Sequence, residues 1–107
     1  MISTHILDLN LGQPASGVMV ELEKKAGDDW QTVKESATNA DGRIQFDIAA
    51  ATGEYRLTFK IEDYFLKMKL APFFTVAPVT FKISDTKRKY HIPLLLNSFG
   101  YSTYRGS

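Results

Sequence analysis

The chain of 107 residues contains no cysteine. That absence removes disulfides, thiolate nucleophiles and cysteine-based metal sites in one step. It leaves the compartment open, because a secreted protein can also do without cysteine. An excess of either charge is missing too: 13 basic and 12 acidic residues leave a formal net charge of +1. A protein that relies on phosphate attraction to hold nucleic acid carries a basic excess. The short cluster Lys87, Arg88, Lys89, just ahead of a strand, reads instead as a solvated turn or edge. No stretch approaches the ~18 apolar residues that span a bilayer. The opening "MISTHILDLN" has no basic segment followed by a long apolar core, so neither a secretory leader nor a membrane partner is expected. The closing "RGS" is not the Ser-Lys-Leu peroxisomal address. The expectation is a cytoplasmic protein, with the periplasm reached only if an upstream segment is missing. Glycine-rich phosphate loops and a Gly-x-Ser-x-Gly nucleophile elbow are also lacking.

What is present is a sequence for a folded domain. Apolar residues make up 44% and charged residues 23%, and a single domain over residues 1–107 accommodates the whole length. Period-two alternation dominates it. Val18, Val20 and Leu22 share one face of "VMVELEKK", and Ile44, Phe46 and Ile48 share one face of "RIQFDI". Tyr55, Leu57, Phe59 and Ile61 do so in "EYRLTFKI", and Val79, Phe81 and Ile83 in "VTFKI". These read as strands with one face packed and the other wet. A further strand is expected over Trp30 to Ala37. Turn signals in "LGQPASG", "AGDD", "NADG" and "ATG" separate the strands at intervals of about ten residues, the spacing of a sandwich or barrel. In "IEDYFLKMK" the apolar positions Ile61, Phe65 and Met68 follow a helical period instead, which predicts a helix of two turns. The stretch "PFFTVAP" then reads as a loop.

The last strand, Tyr90 to Leu96, departs from this pattern because both of its faces are partly apolar. Tyr90, Ile92, Leu94 and Leu96 line one, while His91, Pro93 and Leu95 line the other. Either another layer of the same chain or another subunit must cover the second face, and a subunit is the simpler expectation at this length. Pro93 lacks a ladder donor, which favours an edge strand or a bulge.

Only two histidines are available, His5 and His91, each inside an expected strand. Each can be an ordinary structural or surface histidine. Together on one surface they can activate a water, since imidazole exchanges a proton near neutral pH. No ligand spacing supports a metal site. Arg43, after Gly42 in "NADGR", is either a solvated arginine or a planar fork for an anionic or carbonyl-rich ligand. The tail adds Tyr101, Tyr104, Arg105 and Ser107, which are useful to a site only if the tail is packed.

Three blocks, "STHILD", "DGR" and "YHIPLLLNSFGYSTYRGS", resemble the 5-hydroxyisourate hydrolases of the transthyretin-like family, and the similarity runs along essentially the whole chain. The closing "YRGS" is what separates those hydrolases from the transthyretin hormone carriers. The resemblance implies a two-sheet transthyretin-like β-sandwich of about eight strands with one short helix. It also implies a homotetramer, a dimer of dimers, with its sites where the dimers meet. By the same resemblance His5, Arg43, His91 and Ser107 are catalytic, and His5, Arg43 and Tyr104 bind substrate. Gly106 and Arg105 complete the terminal motif. No cofactor and no metal is implied. Lys89 stands where the family often has histidine, Thr75 and Val76 where it often has proline and glutamate, and Asn97 and Ser98 where it often has serine and proline. A ligand carrier on the same scaffold and a structural adhesion domain are the rival readings. Neither has a use for the four-residue tail.

Overall fold

The alternating segments become strands in the computed structural model, which describes residues 1–107. In chain order they are β1 (Ile2–Asp8), β2 (Gln13–Pro14), β3 (Met19–Ala26), β4 (Asp29–Ala37), β5 (Arg43–Phe46), β6 (Gly53–Lys60), α1 (Ile61–Lys67), β7 (Ala77–Ile83), β8 (Tyr90–Asn97) and β9 (Gly100–Thr103). One sheet runs β4-β3-β6-β7 and is antiparallel throughout. The other runs β2-β1-β8-β9, with β5 also pairing β1, so β5 and β2 divide one edge of β1 between them. Only the β1–β8 pair is parallel.

The sheets meet through the faces that the alternation marks. Ile2, Ile6, Ile44, Phe46, Leu94 and Leu96 of one sheet face Val20, Leu22, Tyr55, Leu57 and Phe59 of the other, and all are buried. Two polar residues sit on the inner face of β1 and are satisfied there. The Thr4 hydroxyl donates to the Ile92 carbonyl at 2.6 Å, and the Asp8 carboxylate accepts from the Tyr64 hydroxyl at 2.6 Å and the Asn10 N–H at 2.8 Å. Buried polar groups without partners would be costly, and these have them. Tyr64 lies on α1, whose Ile61 and Phe65 are buried, so its bond to Asp8 ties the helix to the opposite sheet.

Three expectations are corrected. The "LGQPASG" turn contains the two-residue strand β2, and the tail contains β9, which brings the total to nine strands. "NSFG" is the hairpin turn that leads into β9, with the Asn97 side chain accepting from the Phe99 N–H at 2.8 Å. Pro78 belongs to β7 rather than to the preceding loop, which its sheet-edge position permits. Pro93 lies on an interior strand, β8, between β1 and β9. Its missing donor faces the β9 side, and there the ladder stops: pairing runs from Asn97 to Leu94, lapses beside Pro93, and resumes as a bridge between His91 and Gly106. The Pro93 carbonyl is satisfied by the Thr103 hydroxyl at 2.7 Å. The gap in the ladder thus does what an edge position would have done.

Candidate active site

The outer face of the β1 sheet carries the site. Because side chains alternate, Ser3 and His5 share that face of β1, His91 and Pro93 that of β8, and Arg43 and Gln45 that of β5. Strand register aligns them in two neighbouring rows. Gln45, Ser3 and His91 form one row, which the Gly106 bridge extends; Arg43, His5 and Pro93 form the next. The parallel β1–β8 pairing, between segments at opposite ends of the sequence, brings the two histidines together. Ser3, Asn39, Arg43, Gln45 and His91 line a polar hollow of about 290 Å³ on this face.

Arg43 is set in place by the turn before it. The Asn39 side-chain oxygen accepts the N–H groups of Asp41 and Arg43, at 2.9 and 3.0 Å. Gly42 has φ +72°, and a Cβ built there would lie 2.6 Å from the Ile6 carbonyl oxygen. Only glycine lets this turn press against β1, where the Gly42 carbonyl accepts from the Ile6 N–H at 2.8 Å.

Both imidazoles are held below their ordinary pKa of 6.5. For His5, burial is the larger cause and the Arg43 charge the next, while Asp41 works in the opposite direction. For His91, burial leads, followed by the charges of Arg43 and His5. Near neutral pH the pair is therefore uncharged and able to accept a proton. The His91 Nδ1 is hydrogen-bonded to the Ser3 hydroxyl at 2.8 Å.

The tail is less concentrated. Gly106 is buried, its N–H donating to the His91 carbonyl at 2.8 Å, so the tail is packed as a site would require. Tyr104, 59% exposed, borders a second, apolar hollow of about 140 Å³ together with His91, Val79, Phe81 and Arg105. Ser107 is exposed, lines neither hollow and makes no side-chain hydrogen bond. The chain thus brings His5, Arg43 and His91 together and leaves Tyr104 and Ser107 at the margin. Ser3 and Asn39 are site residues that the sequence reading passed over. Alternation already set Ser3 on the face of His5, but only the cross-chain register aligns it with His91.

The chain is a two-sheet β-sandwich that carries two histidines and an arginine on the outer face of one sheet. A family model described as "HIUase/Transthyretin family" matches residues 2–106, and the chain belongs to that family. It is 49% identical over 110 residues to a 5-hydroxyisourate hydrolase of Salmonella typhimurium, across 100% of this chain and 81% of that protein. The solved 5-hydroxyisourate hydrolase of Klebsiella pneumoniae superposes with a TM-score of 0.88 at 38% identity, covering 99% of this chain and 98% of the other. Sea bream transthyretin in complex with thyroxine superposes with a TM-score of 0.92 at 30% identity, over 98% of this chain and 93% of that one.

Proposed function

We propose that the protein hydrolyses 5-hydroxyisourate, opening the six-membered ring at the N1–C6 amide bond to give 2-oxo-4-hydroxy-4-carboxy-5-ureidoimidazoline. The observation that carries the reading is the alignment of His5, Arg43 and His91 on one sheet face, with both imidazoles kept uncharged. The relatives that span this chain and are named as hydrolases of that compound support it. An uncharged histidine accepts a proton from water as the water's oxygen bonds to C6. The Arg43 guanidinium binds ring oxygens and steadies the negative charge that develops on the carbonyl oxygen. The N1–C6 bond then breaks, and N1 takes up the proton. Tyr104 and the tail orient the ring, an entropic contribution.

The half-exposed face bearing Leu7, Leu95 and both histidines suits a covering subunit. The assembly proposed is a homotetramer, a dimer of dimers, in which that face closes over the substrate and brings Tyr104 and Ser107 of the tail into its wall. The setting proposed is the cytoplasm. Sedimentation equilibrium giving a monomer mass would refute the assembly.

The test of function is a spectrophotometric assay in which urate oxidase generates 5-hydroxyisourate in place. The expected result is accelerated decay with the protein, lost in His91→Ala. Decay at the uncatalysed rate with folded protein would refute the hydrolase reading and favour a carrier.

A further inference from the structure

We infer that Ser3 is a positioning residue for His91, holding its ring through Nδ1 and leaving Nε2 free for proton exchange, and that Gly106 closes the opposite edge of the same ring. The inference rests on the hydrolase reading only in assigning His91 a reaction to serve. The geometry stands apart from it. Ser3 and His91 are register partners on neighbouring strands, and the Ser3 Oγ lies 2.8 Å from Nδ1. On the tail side, a Cβ added to Gly106 would come within 2.7 Å of the His91 Cδ2 and 3.3 Å of Cγ. Nδ1 and Cδ2 flank the ring on its two edges, so the imidazole is gripped between β1 and the tail. Neither contact involves Cε1 or Nε2, the two atoms at the tip of the ring.

A serine hydroxyl can accept as well as donate, so it can accept a hydrogen bond from Nδ1–H in the tautomer whose Nε2 lone pair is free. When Nε2 gains a proton from water, Nδ1–H keeps its acceptor and the imidazolium is stabilised. Ser3 touches no reacting atom in this scheme. It acts through the ring it holds, as the partner of an acid–base histidine does. The tail acquires a definite task by the same argument. A side chain at Gly106 would drive into the Cδ2 edge of the ring and shift it from its place against Ser3, which links the tail to a histidine on an interior strand.

The charged and titratable groups facing His91 are His5 of β1, Arg43 of β5, Lys82 of β7 and the tail residues Tyr104 and Arg105. None of them hydrogen-bonds Nδ1, so a change of tautomer on altering Ser3 is attributable to the hydroxyl. Ser3→Ala, Ser3→Thr and Gly106→Ala are compared with the unaltered protein by steady-state kinetics and by 15N NMR of the His91 ring, with circular dichroism to establish folding. The expected result for Ser3→Ala is kcat lowered roughly tenfold at nearly constant KM, as for loss of one hydrogen bond to a group that becomes charged. His91 should shift from the Nδ1–H tautomer to a mixture. Ser3→Thr should restore both readouts, and Gly106→Ala should lower kcat while the protein stays folded. An unchanged His91 tautomer in Ser3→Ala overturns the inference, whatever the activity. So does unchanged kcat in Ser3→Ala when the unaltered protein is active. If the unaltered protein has no activity, the hydrolase reading fails, and the NMR comparison still decides the role of Ser3.

Discussion

Gly42→Ala separates a backbone effect from a steric one at the turn that delivers Arg43. The dihedral contribution comes first: φ is +72° at Gly42, and an L-residue in that region costs about 1–2 kcal/mol. The new methyl would then lie 2.6 Å from the Ile6 carbonyl oxygen, 3.0 Å from the Pro14 Cβ and 3.1 Å from the Ala15 nitrogen. None of these is the loose end of a long side chain. Ile6 is also fixed from both directions, its N–H donating to the Gly42 carbonyl at 2.8 Å and its carbonyl accepting from the Ala15 N–H at 2.9 Å. Relief of the clash therefore displaces backbone, with a strain of about 1–3 kcal/mol. The expected loss is about 2–5 kcal/mol, which for a domain near 100 residues lowers Tm by roughly 8–20 °C. Gly17→Ala is the control, because Gly17 has φ +80° with nothing within 4 Å of an added Cβ. It should lose only the dihedral part, roughly 4–8 °C. Thermal unfolding followed by circular dichroism at matched protein concentration measures both, since association shifts Tm. Equal losses at positions 42 and 17 would refute the steric argument. In the Gly42 variant that remains folded at the assay temperature, displaced Arg43 should also raise KM.

Other perturbations follow from the same geometry. Tyr64→Phe removes the only side-chain donor to the buried Asp8 carboxylate and should cost about 1–3 kcal/mol in denaturant unfolding; stability within about 0.3 kcal/mol of the parent would show the bond to be idle. Because burial and the Arg43 charge both hold the two histidines below 6.5, the midpoint of the acid limb of activity should lie below that value. Arg43→Gln removes one of the lowering causes at both histidines, so the acid limb should move to higher pH as well as lose height; an unmoved limb would separate Arg43 electrostatically from the pair. Arg43→Lys keeps the charge and loses the planar fork, so it should retain the acid limb while weakening substrate binding, read as a raised KM.

The relation between sequence and site differs from residue to residue. Ile44, Phe46, Leu57, Phe59, Leu94 and Leu96 announce their burial by alternation, because a half-buried strand can place side chains in only two directions. The helical stretch is equally plain, as Ile61 and Phe65 are spaced to turn the same way on α1 and both are buried. His5 and His91 could be assigned to the outward face of their own strands by the same rule. The tail was legible as chemistry through its resemblance to a family motif, but its hairpin strand Gly100–Thr103 carries no apolar alternation and was not legible.

Local pattern has no means of saying which strands are neighbours. The parallel pairing of β1 with β8 aligns Ser3 with His91, and the antiparallel pairing of β5 with β1 aligns His5 with Arg43. Both are set by which edges remain free once the core is filled. Pro93 shows the limit most clearly: its missing N–H is written in the sequence, yet a proline can be spared a partner by an edge, a bulge or a lapse in the ladder. Here the tail supplies the lapse, and in resuming at Gly106 it lodges against the ring of His91. By itself the sequence determined strand faces, helix position and the residue types available for chemistry, because these depend on covalent geometry and periodicity. The tertiary structure decided which of those residues meet, because strand register is settled by packing and hydrogen bonding between segments far apart along the chain.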